Sequence, residues 1–551
     1  MKYLPFLPKF ICTGRKFILP SRWFSRRTLS FFIDRVLSFV VRWMIYMALA
    51  VLLAAAFLNI QYGIDHISMI AVFSVDEAFA IQLVSQNLQQ NRLDPQGFYN
   101  YGYFYHSLVF YTAAFLGNLG YKIDGRLLAY LFRWISLASY GLLLFLGYKL
   151  TKLLTRDRLF SLCTTLFLAS VPGVYSWAQQ THPDMLQAVL VTAAAYVACR
   201  RHNLIHVIGA TLIAGLAFST KYTGIFIFPF VVLPYLFSEI EREHQKNGTF
   251  QLKDWGKMLY IAIGMSVVFV SVWLITNPTV LQNSSEVLKD ILFEKRHVSW
   301  GDGRAEPKNP LLWLSLLFHQ FGVAGSMLLL LGIAVLIGVL IKKTFRRRSL
   351  FCDPVERNLL MLLLYSSTGL AYLMFQVNLR QDRYILHLIP ILVVLGFVGL
   401  YRCIHDSAIL KKRKNLFSVA LLVIILPLCP ATIQTQQDAS HKYEHQYLKA
   451  TTWIEEHYPP DTHILADNYS YRSPRLSQFM YVWGVEPEAL EYAQPKLIII
   501  NKTLSGRWSW KKTGTKYHRM PLCMKIPRLS SLRILEKMRP ANSRSPHHKL
   551  L

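Results

Sequence analysis

Charge is scarce in this chain. Only 17% of its 551 residues are Asp, Glu, Lys or Arg, against about 25% in an ordinary soluble domain. Acidic residues are the scarcer kind, 31 against 60 basic ones, which leaves a formal charge of +29. The seven cysteines (Cys12, Cys163, Cys199, Cys352, Cys403, Cys429 and Cys523) form no CxxC pair and no metal-ligand spacing, which argues against a disulfide framework or a zinc module. No GxGxxG fingerprint appears, so nothing marks a dinucleotide-binding unit. Zinc-finger spacing, RNP-like motifs and an aromatic-and-basic groove pattern are also missing, which argues against nucleic acid as the reason for the positive charge. No short apolar region with a small-residue cleavage site precedes Met44, so the basic N-terminus reads as a retained leader and not as a signal peptide.

What the chain does have is apolar sequence, 53% of it, gathered in blocks almost free of charge. Their length, roughly 16–25 residues, is what a hydrocarbon layer of about 30 Å demands. The expected spans are Met44–Ile60, Leu127–Tyr148, Leu159–Gly173, Met185–Ala198, Leu204–Thr220, Tyr222–Phe237, Met258–Thr276, Leu314–Leu340, Asn358–Gln376, Tyr384–Leu400 and Leu416–Leu428. Phe104–Leu119 either spans or lies flat, and the basic residues decide. With it flat, the leader and the loops Lys149–Arg158, Arg200–Arg201, Lys342–Arg348 and Lys411–Lys414 all fall inside, as the positive-inside rule expects. Tyr99, Tyr101, Tyr103, Tyr105 and Tyr111 also suit headgroup depth.

The expected fold class is therefore an all-α polytopic membrane protein. About eleven transmembrane helices and an interfacial helix in the first outer loop precede a small C-terminal extracytoplasmic α/β domain, built on helix-like Tyr447–His457 and strand-like His463–Ala466 and Lys496–Ile500. The expected divisions are a basic leader (1–43), a membrane domain (44–430), the α/β domain (431–501) and a basic tail without clear periodicity (502–551).

Charge inside the spans would mark a transporter or proton relay. Arg133 is the main exception to its absence, and it lies near the outer end of its helix. Polar chemistry gathers instead in the outside loops. In Ser74-Val75-Asp76-Glu77, Glu77 fits a capping box with Ser74; Asp76 faces elsewhere on the helix and suits a general base. His182-Pro183-Asp184 reads either as a helix start with its acid at the dipole or as a second functional acid. With Asp76, these two residues also offer three possible ligands for a divalent cation, without a spacing rule. Lys221 sits at a break between two apolar runs, where a snorkelling lysine is the ordinary explanation; a cation at that depth, like Arg380 and Arg383 beside Tyr384, would also suit a lipid-borne phosphate. The stretch Glu294–Gly301, with His297, is either a solvated loop or a lid.

These residues, in this order over roughly Met44–Leu400, resemble the GT-C superfamily of membrane glycosyltransferases. The likeness is to the protein-mannosyltransferase and aminoarabinose-transferase (ArnT-like, glycosyltransferase family 39-like) branch. It rests on Asp76-Glu77 after the first span, the tyrosine-rich entry Tyr101–Leu108, Arg133, Asp184, the Gly215–Lys221 run, and Arg383-Tyr384 leading into Pro390. Tyr447–Asp467, with Trp453-Ile454 and Pro459-Pro460, resembles the extracytoplasmic domain of many members. The family's Lys-Pro-Pro run is replaced by Tyr101-Gly102-Tyr103.

The resemblance implies transfer of a sugar from a polyprenyl-phosphate donor to a glycan, lipid or protein acceptor outside the cytoplasm, by an inverting single displacement. It implies catalytic roles for Asp76, Glu77 and Asp184, a donor-phosphate role for Lys221, Arg383, Tyr384 and Arg133, and an acceptor or lid role for Tyr101, His182 and His297. No cofactor is called for, a divalent metal is left open, and a bacterial inner membrane with the site on its outer face is expected. The alternatives are a flippase-like lipid or polysaccharide transporter and a non-catalytic membrane scaffold.

Overall fold

The computed structural model describes residues 26–64, 75–95, 99–247, 252–277, 279–300, 309–347, 353–407, 414–460, 462, 464–467, 479–482, 497–501 and 532–536. Most of the leader, the side chain of Asp76 and most of the basic tail lie outside the described residues.

Each of the eleven apolar runs contains helix. Eight stretches among the described residues are long and apolar enough to cross a membrane. They lie in α1 (Arg26–Asn59), α4 (Gly125–Thr155), α9 (Ile227–Asn247, entered through a 3-10 turn), α10 (Leu252–Thr276), α12 (Leu311–Arg347), α13 (Pro354–Gln376), α14 (Ile389–Asp406), and α15 (Lys414–Ile425) continuing into α16 (Leu428–His457). The other three runs are shorter: α5 (Arg158–Ala169) has 12 residues, and α7 (Asp184–Arg200) and α8 (Leu204–Thr220) have 17 each. The expected span Leu159–Gly173 is thus cut short. The chain breaks before Pro172 and restarts as the six-residue α6 (Pro172–Trp177). At 1.5 Å per residue, α5 reaches only about 18 Å, and all its residues from Leu159 to Ala169 are buried among other helices.

Local chemistry sets several helix starts. Asp124, Asp157, Asn203 and Asp353 each accept a hydrogen bond from a backbone N–H two or three residues on, at 2.9–3.0 Å, and so satisfy a donor the helix itself cannot. Apolar side chains on α1, α10 and α12 face outward, among them Trp43, Tyr260 and Leu331, as expected where lipid is the neighbour. By contrast, α14 is buried along Ile389–Leu400. It packs on α12 through glycine: a Cβ on Gly399 would lie 1.8 Å from the Gly332 carbonyl oxygen, and one on Gly332 2.0 Å from that of Gly396. Small residues bring two backbones into contact where no hydrophobic force separates helix from lipid.

The segment between the first two spans carries α2 (Val75–Gln89) and α3 (Phe104–Asn118). The loop expected at Asn277–Pro310 also contains a helix, α11 (Ser284–Trp300). Its mixed charge masks a helical stripe of exposed Leu288, Leu292 and Phe293. The last span does not stop at Leu428, because α16 runs on without interruption to His457. Beyond it lies a four-stranded sheet of order β2-β1-β3-β4, from β1 (Ile464–Asp467), β2 (Phe479–Val482), β3 (Leu497–Asn501) and β4 (Leu532–Glu536). The first three pair in parallel and β4 pairs antiparallel to β3, so a segment of the tail contributes a strand.

Candidate active site

The turn from α8 into the 3-10 helix Tyr222–Phe226 presents Lys221. The Lys221 N–H donates to the Ala217 carbonyl (3.0 Å), while its own carbonyl accepts from the Gly224 N–H (2.8 Å) and Gln187 Nε2 (3.2 Å). The turn is tight enough that a Cβ on Gly224 would lie 2.4 Å from the Ala217 backbone. The polar break between two apolar runs is therefore a rigid mount for one buried ammonium group.

That ammonium donates to Asp184 Oδ1 at 2.6 Å. Asp184 opens α7, ahead of the apolar run, and His182 Nδ1 faces its other oxygen. Arg383 Nη1 lies 2.6 Å from His182 Nε2. Arginine can only donate, so His182 Nε2 accepts and its Nδ1 carries the proton toward Asp184. The result is a continuous chain, Lys221–Asp184–His182–Arg383, drawn from three separate regions of sequence. Burial opposes ionisation of Asp184, but Lys221, His182 and Arg383 outweigh it and hold the carboxyl well below the usual carboxylate range. Burial pulls Lys221 down from the ordinary lysine value, and Asp184 opposes that pull.

Aromatic rings enclose the chain. The Lys221 ammonium sits 4.7 Å from the Tyr384 ring centroid and 5.5 Å from that of Tyr101, within cation–π range. Tyr101 and Trp177 both meet the His182 ring edge-on. Tyr101 is brought in by its neighbour: a Cβ on Gly102 would fall 1.9 Å from the Ser219 carbonyl oxygen, so only glycine lets this segment lie against the end of α8. His387 Nε2 and Ser219 Oγ are buried and find no hydrogen-bond partner among the described residues. Buried polar atoms are normally paired, and His387 is close enough to Lys221 to feel its charge.

The loop carrying Arg383 is pinned from several directions. Trp313 Nε1 donates to the Val377 carbonyl (3.0 Å), and the Val298 carbonyl accepts from the N–H groups of Asn378 (2.8 Å) and Leu379 (3.1 Å). Gln320 Nε2 donates to Asp382 Oδ2 at 2.7 Å while its Oε1 accepts from the Gly173 N–H at 2.6 Å. Gly322, with φ of 66°, kinks α12 two residues later.

Glu77 and Arg133 form a second, wholly buried group. Arg133 donates to both Glu77 carboxylate oxygens at 3.3 Å and to the carbonyls of Ile60 (3.0 Å) and Tyr62 (2.7 Å). Glu77 Oε1 also accepts from the Thr181 N–H at 3.0 Å. The pair therefore ties α2 and α4 to the loop immediately before His182. Arg133, expected at the donor phosphate, is committed to Glu77 and two carbonyls. His297 lies on α11 stacked on Phe293; the α11 group that acts electrostatically on Lys221 and Tyr384 is Glu294. Among the described residues no three His, Cys, Asp or Glu side chains converge, and Lys221 already occupies one Asp184 oxygen.

Sequence reasoning singled out Lys221, Asp184, His182, Arg383, Tyr384 and Tyr101, and the structure brings these together. It missed His387, Glu294 and the Gln320–Asp382 pair. His387 had a readable signal: it is a lone ionisable residue in an apolar run, four positions after Arg383.

Residues 111–277 match the family model for dolichyl-phosphate-mannose-protein mannosyltransferase. That stretch contains Arg133, His182, Asp184 and Lys221. Among solved structures, the chain is similar to ArnT from Cupriavidus metallidurans bound to undecaprenyl phosphate. The TM-score is 0.52 at 13% identity, over 84% of this chain and 93% of that one. The family model covers 167 of the 551 residues, and the likeness to ArnT at 13% identity is one of fold. The apo state of the same ArnT gives a TM-score of 0.49 at 13% identity, over 84% and 94% of the two chains. No curated protein matches this chain in sequence. The likeness to ArnT is one of overall fold, while the site chemistry rests on the residues described above.

Proposed function

We propose that the chain is a glycosyltransferase that moves a sugar from a polyprenyl-phosphate donor to an acceptor on the outer side of the membrane. The observation that carries this reading is the chain Lys221–Asp184–His182–Arg383, buried under Tyr101 and Tyr384. Two cations held at fixed positions can stabilise the charge that develops on a departing phosphate, and a preorganised site does so without reorganising at the moment of reaction. The match to a mannosyltransferase family model supports glycosyl transfer. The similar ArnT structure holds undecaprenyl phosphate, which supports a polyprenyl phosphate as the donor's carrier.

In the proposed reaction the acceptor hydroxyl oxygen attacks the anomeric carbon as the carbon–oxygen bond to phosphate breaks. The bonding pair leaves with the phosphate, which Lys221 and Arg383 stabilise, and the configuration at carbon inverts. Asp76, the neighbour of the anchored Glu77 in α2, takes the hydroxyl proton as general base. Asp184 orients this end of the site and holds Lys221 charged. Donor entry shifts Lys221 from Asp184 toward phosphate, and the Nδ1–H of His182 keeps Asp184 satisfied meanwhile.

Asp76→Asn tests the proposal, with transfer measured from synthetic polyprenyl-phosphate sugars and folding monitored by gel filtration. Loss of transfer with folding retained is expected, and transfer at the wild-type rate would remove Asp76 as the base. Mass spectrometry of lipids from cells without the protein should show which polyprenyl-phosphate sugar accumulates.

A further inference from the structure

A cavity lies at the opposite end of the bundle, far from any step proposed above. It has a volume of about 610 Å³, and three arginines border it: Arg42 from α1, and Arg156 and Arg158 from the turn joining α4 to α5. Along α4, Arg156 is 23 residues from Arg133, about 35 Å at 1.5 Å per residue. Positive charge at this end suits the orientation rule for membrane proteins. That rule does not require guanidinium groups from separate helices to meet around one cavity.

The backbone adds an independent observation. Arg156 caps α4 in the left-handed region, at φ 60°. Among the described residues only Asn91 shares a positive φ without being glycine. A glycine or asparagine takes this cap position more readily than an arginine. Arg42 is held in place: its Nε donates to the Ser38 carbonyl (3.1 Å) and its Nη2 to Ser38 Oγ (2.8 Å). The carboxylate at the rim, Asp157, accepts the Phe160 N–H at the start of α5. Phe160 and Ile404 supply an apolar wall, and Phe39 and Trp43 stand exposed on the adjoining face of α1, 61% and 54% accessible.

The geometry points to a phosphate-binding site at this end, in which Arg42, Arg156 and Arg158 hold the oxygens of a phosphate monoester or diester. Guanidinium forks match phosphate oxygens two at a time. The volume is that of a small-ligand site, and the apolar wall leaves room for the acyl portion of an amphiphile. The oxyanion comes either from a phospholipid headgroup or from a soluble phosphate.

The test uses the full-length protein purified in detergent. Native mass spectrometry compares retention of phosphatidylglycerol and phosphatidylcholine, and thermal unfolding compares inorganic phosphate with chloride at equal ionic strength. The double variant Arg156→Gly/Arg158→Gln removes two charged partners, and retention or response should fall about tenfold. A control, Lys342→Gln near the basic end of α12, should change neither. A lost preference for phosphatidylglycerol, with no phosphate response in the wild type, identifies a lipid headgroup. A wild-type phosphate response that the double variant lacks identifies a soluble ester. The proposal is overturned if the double variant keeps the wild-type behaviour in both measurements, or if Lys342→Gln loses as much. Should the double variant not fold, Arg158→Gln alone is scored by the same rule.

Discussion

Replacing Arg133 by Met removes a guanidinium from a site with no solvent access. Glu77 is left with the Thr181 N–H as its described partner, and the carbonyls of Ile60 and Tyr62 lose their donors. An uncompensated buried charge costs about 3–5 kcal/mol, and one kilocalorie shifts the melting temperature of a large domain by about 2–4 °C. The variant should therefore melt on the order of 10 °C below wild type. Adding Glu77→Gln removes the orphaned charge while keeping an acceptor for Thr181, so the double variant should recover at least about 1 kcal/mol. The measurement is thermal unfolding in detergent followed by gel filtration, with donor kinetics on the surviving protein. The reasoning fails if Arg133→Met melts like wild type and changes only the donor KM. That outcome would return Arg133 to the donor phosphate.

Four further outcomes follow from the site. Lys221→Ala or Arg383→Ala should raise the donor KM by about tenfold or more, the worth of a charged hydrogen bond to phosphate; an unchanged dependence of rate on donor concentration would count against either role. Gly102→Ala should cut transfer at least about tenfold, because its methyl must displace either Ser219 or the Tyr101 segment and a small misplacement at a site is costly; wild-type kinetics would mean that the Tyr101–Lys221 contact is dispensable. Asp184 has a folded-state pKa held below its unfolded value near 4, so its contribution to stability is complete above that value and fades as pH falls through the folded one. The stability difference between wild type and Asp184→Asn should be flat from about pH 5 to 8, and a difference that titrates near neutrality would contradict the arrangement. Gln320→Leu should loosen the Arg383 loop and raise the donor KM by about threefold to tenfold while leaving kcat nearly unchanged; a fall in kcat alone would speak against a positioning role.

Much of this architecture was legible residue by residue. Asp124, Asp157, Asn203 and Asp353 mark helix starts because a cap acts within three positions of itself. The runs at Met258–Thr276 and Leu314–Leu340 read as spans because hydropathy is a sum over adjacent residues. Where local signals mislead, the reason is also local. Leu159–Gly173 is apolar enough to span, yet Pro172 breaks it. The charges of Ser284–Trp300 hide a helix whose apolar side is a narrow stripe. Lys221, Asp184 and Arg383 were visible as polar residues at the ends of apolar runs, where an ionisable group needs a reason to be present.

Sequence alone determined the membrane-spanning class of this chain, most of its helices and the identity of the side chains at the lipid boundary, since each depends on residues near in the chain. The tertiary structure decided which of those side chains meet. His182 bridges Asp184 to Arg383, 201 positions away, and Arg133 turns to Glu77, 56 positions away. Such pairings depend on how helices stack, through contacts such as Gly332 against Gly396 and Gly399, and a hydropathy pattern carries no record of which helix lies beside which.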